Sequence, residues 1–205
     1  MAKQAKQAKL MFGSNTTENR RKLRELILYV VSRCSNDPRF GAIKLNKILY
    51  YVDFYAFGWT GKSVTGSQYQ RLPNGPAPKH LVPVRDEMIE KGELETGARL
   101  LLNGEKQTRF SGKRPADVSL FTSRELALVQ EVIDSLEELT AKEVSDKSHG
   151  RAWKNLPDGT LIPYQAVFIS ERELVPDDVK VIRMIGARYN WRERIMKRRG
   201  SAAEI

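Results

Sequence analysis

A chain of 205 residues, 40% hydrophobic and 29% charged, is long enough to bury one core. It lacks the run of about 18 apolar residues that a membrane span needs, and its one cysteine, Cys34, excludes an internal disulfide framework. The net charge of +10 sits at the ends: residues 1–24 hold seven lysines and arginines against one glutamate, and residues 180–199 hold eight against one.

The stretch between those ends is near neutral, so the basic termini read as arms for an acidic partner or as solvated ends. Residues 1–14 form a low-complexity basic segment, expected to be flexible. The opening MAKQAKQAKL has charge but no apolar stretch after it, unlike a secretory signal, and a cytoplasmic location is expected.

The first helix is expected to open at Asn15-Thr16-Thr17-Glu18, with Asn15 as its cap and Glu18 three residues on. Leu23, Leu26, Ile27, Val30, Val31 and Cys34 follow at helical spacing, which makes Cys34 a small core residue. Asn36-Asp37-Pro38 ends the helix. A second helix is predicted over 42–57, with Leu45, Ile48, Leu49, Val52 and Ala56 as its core stripe. Asn46, Tyr50 and Asp53 form a neighbouring stripe, and Lys44, Lys47 and Tyr51 another. A carboxylate among so many aromatics needs a partner. Asp53 suits a structural ion pair, a hydrogen bond to backbone, or a binding role.

A short strand follows over 67–72, then a rigid loop, Pro73-Asn74-Gly75-Pro76-Ala77-Pro78. Pro78 is expected to open a helix that ends near Lys91-Gly92, with Pro83 tolerated only in its first turn. A hairpin of 94–102 and 106–112 turns at Asn103-Gly104. Thr122-Ser123-Arg124-Glu125 and Thr140-Ala141-Lys142-Glu143 are capping boxes. The first opens a helix buried by Leu126, Val129, Ile133 and Leu136, and the second opens one that ends by Gly150. Residues 157–164 read as a turn. A last helix starts near Asp177, buries Val181, Ile182, Ile185 and Tyr189, and precedes a basic tail over 191–205. The whole reads as an α+β fold: one mainly helical domain over 15–190, with about six helices and a small antiparallel sheet.

Catalytic signatures are scarce. His80, His149 and Cys34 are far apart in sequence, so no metal site is expected, and no cofactor. Gly58-Trp59-Thr60-Gly61 lacks the lysine–hydroxyl ending of a phosphate loop, and no Gly-x-Ser-x-Gly elbow occurs. Paired acids such as Glu137-Glu138 point different ways on a helix. An enzyme is therefore not expected. Ser148-His149-Gly150-Arg151-Ala152-Trp153 stands out as either a ligand anchor or a capped helix end with Trp153 in the core.

The series Lys44-Leu45-Asn46-Lys47-Ile48-Leu49-Tyr50-Tyr51-Val52-Asp53, then Val64-Thr65-Gly66, Tyr69 and Arg71-Leu72-Pro73-Asn74-Gly75-Pro76-Ala77-Pro78, then Ser148-His149, Ala152-Trp153 and Ile162-Pro163-Tyr164, resembles the Panacea domain of SocA-like antitoxins. The resemblance spans about residues 22–190, and the chain departs from the usual pattern at Pro83. It implies an antitoxin encoded beside its toxin, often in a prophage, that neutralises the toxin by direct protein–protein binding. Some such proteins instead act as adaptors that present a toxin to a protease. The toxin-contact candidates are Asp53, Tyr69, Arg71, Asn74, Gly75, His149, Trp191 and Arg192. A DNA-binding regulator is the competing reading, because the order of helices and hairpin imitates a winged helix and the basic ends suit phosphates. Nucleic acid is nonetheless not the favoured partner, given the near-neutral body, and no membrane partner is expected.

Overall fold

The computed structural model describes residues 12–101, 104 and 106–169. Within them lie six α-helices, a three-stranded antiparallel sheet and a two-stranded one, which is the expected mainly helical α+β class. No helix among the described residues is long and apolar enough to cross a membrane.

Helix α1 (Thr17–Arg33) is capped by Thr16, whose Oγ1 accepts the Asn19 N–H at 3.2 Å. Asn15 is therefore not the cap. The Asn19 side chain is drawn away to the Ser14 and Gly66 carbonyls, each at 2.8 Å. That pair of bonds ties the start of α1 to the chain entering the first sheet. Leu23, Leu26, Ile27, Val30, Val31 and Cys34 are all buried, as their spacing demands. Burial pushes the Cys34 thiol up to about 12, so it stays protonated and inert.

Helix α2 (Ala42–Thr60) is the central element and runs three residues past the predicted end, stopping at Gly61 in the left-handed conformation. It is packed by α1, by α4 (Ser123–Glu137), by α5 (Ala141–Lys147) and by the first sheet. A helix enclosed on so many sides must bury polar residues too. Lys44, Lys47 and Asp53 are each at most 2% exposed. Lys44 meets its need with Asp37 Oδ2 and the Glu137 carbonyl, both at 2.8 Å.

The segment read as a rigid loop is a strand. β1 (Tyr69–Leu72) pairs antiparallel with β2 (Gly75–Pro78), and with β5 (Leu161–Ile162) on its other side. Residues 157–164 thus contain a strand as well as a turn. The two prolines of β2 follow from the phase of the ladder. Arg71 N–H donates to the Thr160 carbonyl at 2.9 Å and Gly159 N–H donates to the Arg71 carbonyl at 2.8 Å. Arg71 therefore turns its backbone toward β5, and its cross-strand partner Pro76 turns its own toward α2. Pro78 has the same phase. An N–H at either place would face a packed helix, and proline removes it.

Because Pro78 belongs to the strand, helix α3 (Leu81–Glu90) starts three residues later than predicted. Pro83 then falls at its third position, where an amide has no helical acceptor in any case. The second sheet pairs β3 (Leu94–Leu100) with β4 (Lys106–Gly112). The last pair is Leu100 with Lys106, so the connection is longer than the two-residue turn read from Asn103-Gly104. Both capping boxes form, on α4 and α5. A sixth, short helix, α6 (Arg151–Asn155), follows Gly150, and a 3₁₀ turn spans Tyr164–Phe168. The helix expected from Asp177 lies outside the described residues.

Candidate functional site

The elements converge on the tip of the β1–β2 hairpin. Pro73 and Asn74 are exposed there, whereas Gly75, Pro76, Ala77 and Pro78 are buried. Gly75 takes φ 99°, which favours glycine. Its Cα is crowded as well: a Cβ would lie 2.4 Å from Lys47 Nζ, 2.7 Å from Ser148 Oγ and 3.0 Å from His149 Nε2. The Asn74 carbonyl accepts from Lys47 Nζ at 2.6 Å and from Ser145 Oγ at 2.8 Å. Lys47 also donates to the Pro76 carbonyl at 3.2 Å. Desolvation pulls the Lys47 ammonium down to about 8, which still leaves it charged at neutral pH.

A second set of contacts holds the outer side of the tip. The His149 and Trp153 rings stack with centroids 3.8 Å apart and planes within 10°. The Arg71 guanidinium lies 4.3 Å from the Trp153 ring centroid and pairs with Asp158. Trp153 Nε1 donates to the Leu72 carbonyl at 2.8 Å. Burial, then the charge of Lys47, lowers the His149 pKa. The tip is thus clamped from α2 by Lys47 and from the α5–α6 segment by Ser145, His149 and Trp153. Of the two expectations for this stretch, the capped helix end is the one seen, with Ser148 closing α5, but Trp153 is half-buried against the hairpin and not in the core.

Behind the tip lies a buried carboxylate. Asp53 accepts the Thr65 N–H at 2.7 Å, and its Oδ2 lies 2.5 Å from Thr65 Oγ1 and 2.8 Å from the Tyr69 hydroxyl. No cation pairs with it among the described residues. Burial pushes Asp53 up to about 6, against the pull of the Thr65 and Tyr69 hydrogen bonds. Aromatic rings pack around this point: Phe54 lies 5.3 Å from Tyr69 and 5.0 Å from Tyr164. Tyr164 donates to the Ser67 carbonyl at 2.6 Å. Gly66 makes the turn with φ 69°.

The expected contact residues therefore divide. Asp53 and Tyr69 are 0% and 1% exposed and offer no surface to a partner, because they hold the turn over 65–67 against α2. Gly75 is buried too. Arg71 and His149 are half-buried, and Asn74 is exposed. Trp191 and Arg192 lie outside the described residues. Of the family-motif positions, Leu45 is core, Asn46 and Tyr50 are half-buried on α2, and Ser148 and Tyr164 are buried. Sequence reasoning missed Ser145, Asp158 and Thr65 as partners. Thr65 was findable, since it stands beside Gly66 and a buried carboxylate needs short-range donors. Ser145 and Asp158 carried no signal.

No curated protein and no solved structure matches the chain. The family described as Antitoxin SocA-like, Panacea domain, matches residues 45–154. That span runs from the core leucine of α2, through the hairpin tip and its anchoring lysine, to the tryptophan that clamps the tip from outside. The match covers over half of the chain, and on it the chain belongs to the SocA-like antitoxins of the Panacea-domain family.

Proposed function

We propose that this protein neutralises a cognate toxin by direct protein–protein binding, through the hairpin tip and the surface around it, without catalysing a reaction. The observation that carries this reading is the double clamp on Asn74. An exposed tip whose backbone carbonyl is held by both Lys47 and Ser145 loses little freedom when a partner arrives. The accessible candidates are then Asn74 and Pro73, with the half-buried Arg71 and His149 at the edge. Asp53, Tyr69 and Gly75 serve by fixing the shape of that surface.

The nucleic-acid reading draws less support. Arg20, Arg24 and Lys22 on α1 are paired with Glu87, Glu93 and Glu125 of the same chain, which leaves less free charge for phosphates. The test is co-expression with the product of a neighbouring gene that arrests growth. Rescue with co-purification is the expected result. Rescue with no complex at micromolar concentration would sink direct binding and favour degradation or transcriptional control.

A further inference from the structure

We propose that the groove between β4 and the C-terminal end of α1 binds an extended, acidic peptide segment of a partner protein by strand addition. The groove encloses about 460 Å³, within the range of peptide and ligand sites. One wall is the outer edge of β4, which pairs only with β3 among the described residues. The other wall is the end of α1 and the residues just after it, with exposed Ser32 and Ser35. Buried Val31 and Phe110 form an apolar floor.

The phase of the ladder shows which backbone groups face the groove. Lys113 N–H donates to the Glu93 carbonyl at 2.8 Å, one step beyond the Gly112–Leu94 pair. Hydrogen-bonded pairs alternate in an antiparallel ladder. Ser111 and Arg109 therefore bond to β3, while Phe110 and Gly112 turn their N–H and C=O groups outward. Thr108 shares that phase, and its carbonyl indeed points outward, toward Gly41 of the α2 N-cap. An unpaired edge beside a helix is the geometry that accepts a peptide strand.

Charge selects the occupant. Arg109, Lys113 and Arg114 line the groove and no carboxylate does. Lys113 and Arg114 are paired with glutamates behind it, Glu95 and Glu25. Arg109 is not: its guanidinium donates to the Asp37 and Ser35 carbonyls, at 2.9 and 3.1 Å, and it has no acidic partner among the described residues. An acidic side chain on an added strand would supply that partner. The groove is built from elements other than the hairpin tip, so the proposal does not rest on the toxin-contact reading of the tip.

The test uses the full-length, ¹⁵N-labelled protein and two labelled hexapeptides, alternating valine–glutamate and alternating valine–lysine. The expected result is saturable binding of the glutamate peptide alone, with shifts centred on the Phe110 and Gly112 amides. Ser35→Trp, at an exposed position, should fill the groove and weaken binding by about tenfold or more. Ser32→Trp repeats the block from the neighbouring turn, and melting curves verify that both variants fold. The proposal is overturned if the glutamate peptide fails to bind, if both peptides bind alike, or if both blocked variants bind normally. Concentration-dependent shifts of the same amides without peptide would also overturn it, and would assign the groove to a second copy of the chain.

Discussion

Tyr69 and Asp53 meet in the interior with one hydrogen for two acceptors. The Tyr69 hydroxyl lies 2.8 Å from Asp53 Oδ2 and 2.7 Å from the Leu49 carbonyl. Thr65 is placed the same way, between Asp53 Oδ2 at 2.5 Å and Ser67 Oγ at 2.8 Å. Ionised Asp53 can draw both hydroxyl hydrogens to itself. Protonated Asp53 can donate one, and release a neighbour's hydrogen to its second acceptor.

Asp53→Ala removes the acceptor that three donor groups share. The loss of stability is expected to be about 3–5 kcal/mol, because a buried polar set is left unpaired. Urea denaturation measures it. An unchanged midpoint would mean that the turn over 65–67 holds without its carboxylate.

The same carboxylate gives a pH signature. Its folded pKa of about 6 is raised from the usual 3.8, so the folded state binds the proton more tightly than the unfolded chain. The contribution of Asp53 to stability is then greatest below about pH 4 and falls as pH rises to about 6, by about 3 kcal/mol in all. The paired acids Glu25 and Glu87 have lowered pKa values and act the other way at the acid end. Comparison with Asp53→Asn subtracts them. From pH 4.5 to 7.5 the wild type should lose stability relative to Asp53→Asn. A constant difference between the two would refute the shift.

Gly75→Ala should be costly out of proportion to one methyl group. The left-handed φ alone costs about 1–3 kcal/mol for a residue with a side chain. The new carbon must also displace Lys47 Nζ from 2.4 Å. The expected outcome is a lower melting temperature together with loss of toxin neutralisation. Full neutralisation by a destabilised Gly75→Ala protein would show that the tip is scaffold and not contact surface.

Lys47→Met should separate global from local stability. It removes a buried charge, which offsets much of the lost bonding, so the global change should stay within about 2 kcal/mol. The Pro76 carbonyl nonetheless loses its donor, and Asn74 is left to Ser145 and His149. Hydrogen exchange over 74–77 is expected to accelerate while the rest of the sheet is unchanged. The folded ammonium releases its proton at about 8 and the unfolded one near 10.5. Wild-type stability should therefore rise across that window relative to Lys47→Met.

Much of the helical frame was legible in the sequence. Helices α1, α2 and α4 carry apolar stripes, and Thr122 and Thr140 carry complete capping boxes. What stayed hidden has physical reasons. β2 is Gly-Pro-Ala-Pro, and small residues with prolines give no alternation of polar and apolar. β5 has two residues, too few for any period. Lys44, Lys47 and Asp53 read as flanking stripes of α2, because pattern alone does not reveal that a helix is enclosed nearly all round. The site itself was half legible. Its tip and tryptophan stand out in the sequence, but the donors that clamp the tip come from distant segments.

The prolines of β2 bear on how the protein behaves at high concentration. An open strand edge is a template on which identical chains polymerise into fibrils. On its α2 side the first sheet presents Pro76 and Pro78, which have no hydrogen to offer, and one of their carbonyls is already held by Lys47. Stacking of copies cannot propagate from that side. Of the edges described, the longest one left unsealed is on the β3–β4 ribbon, so a crowded solution of this protein should either find a partner for that ribbon or aggregate through it.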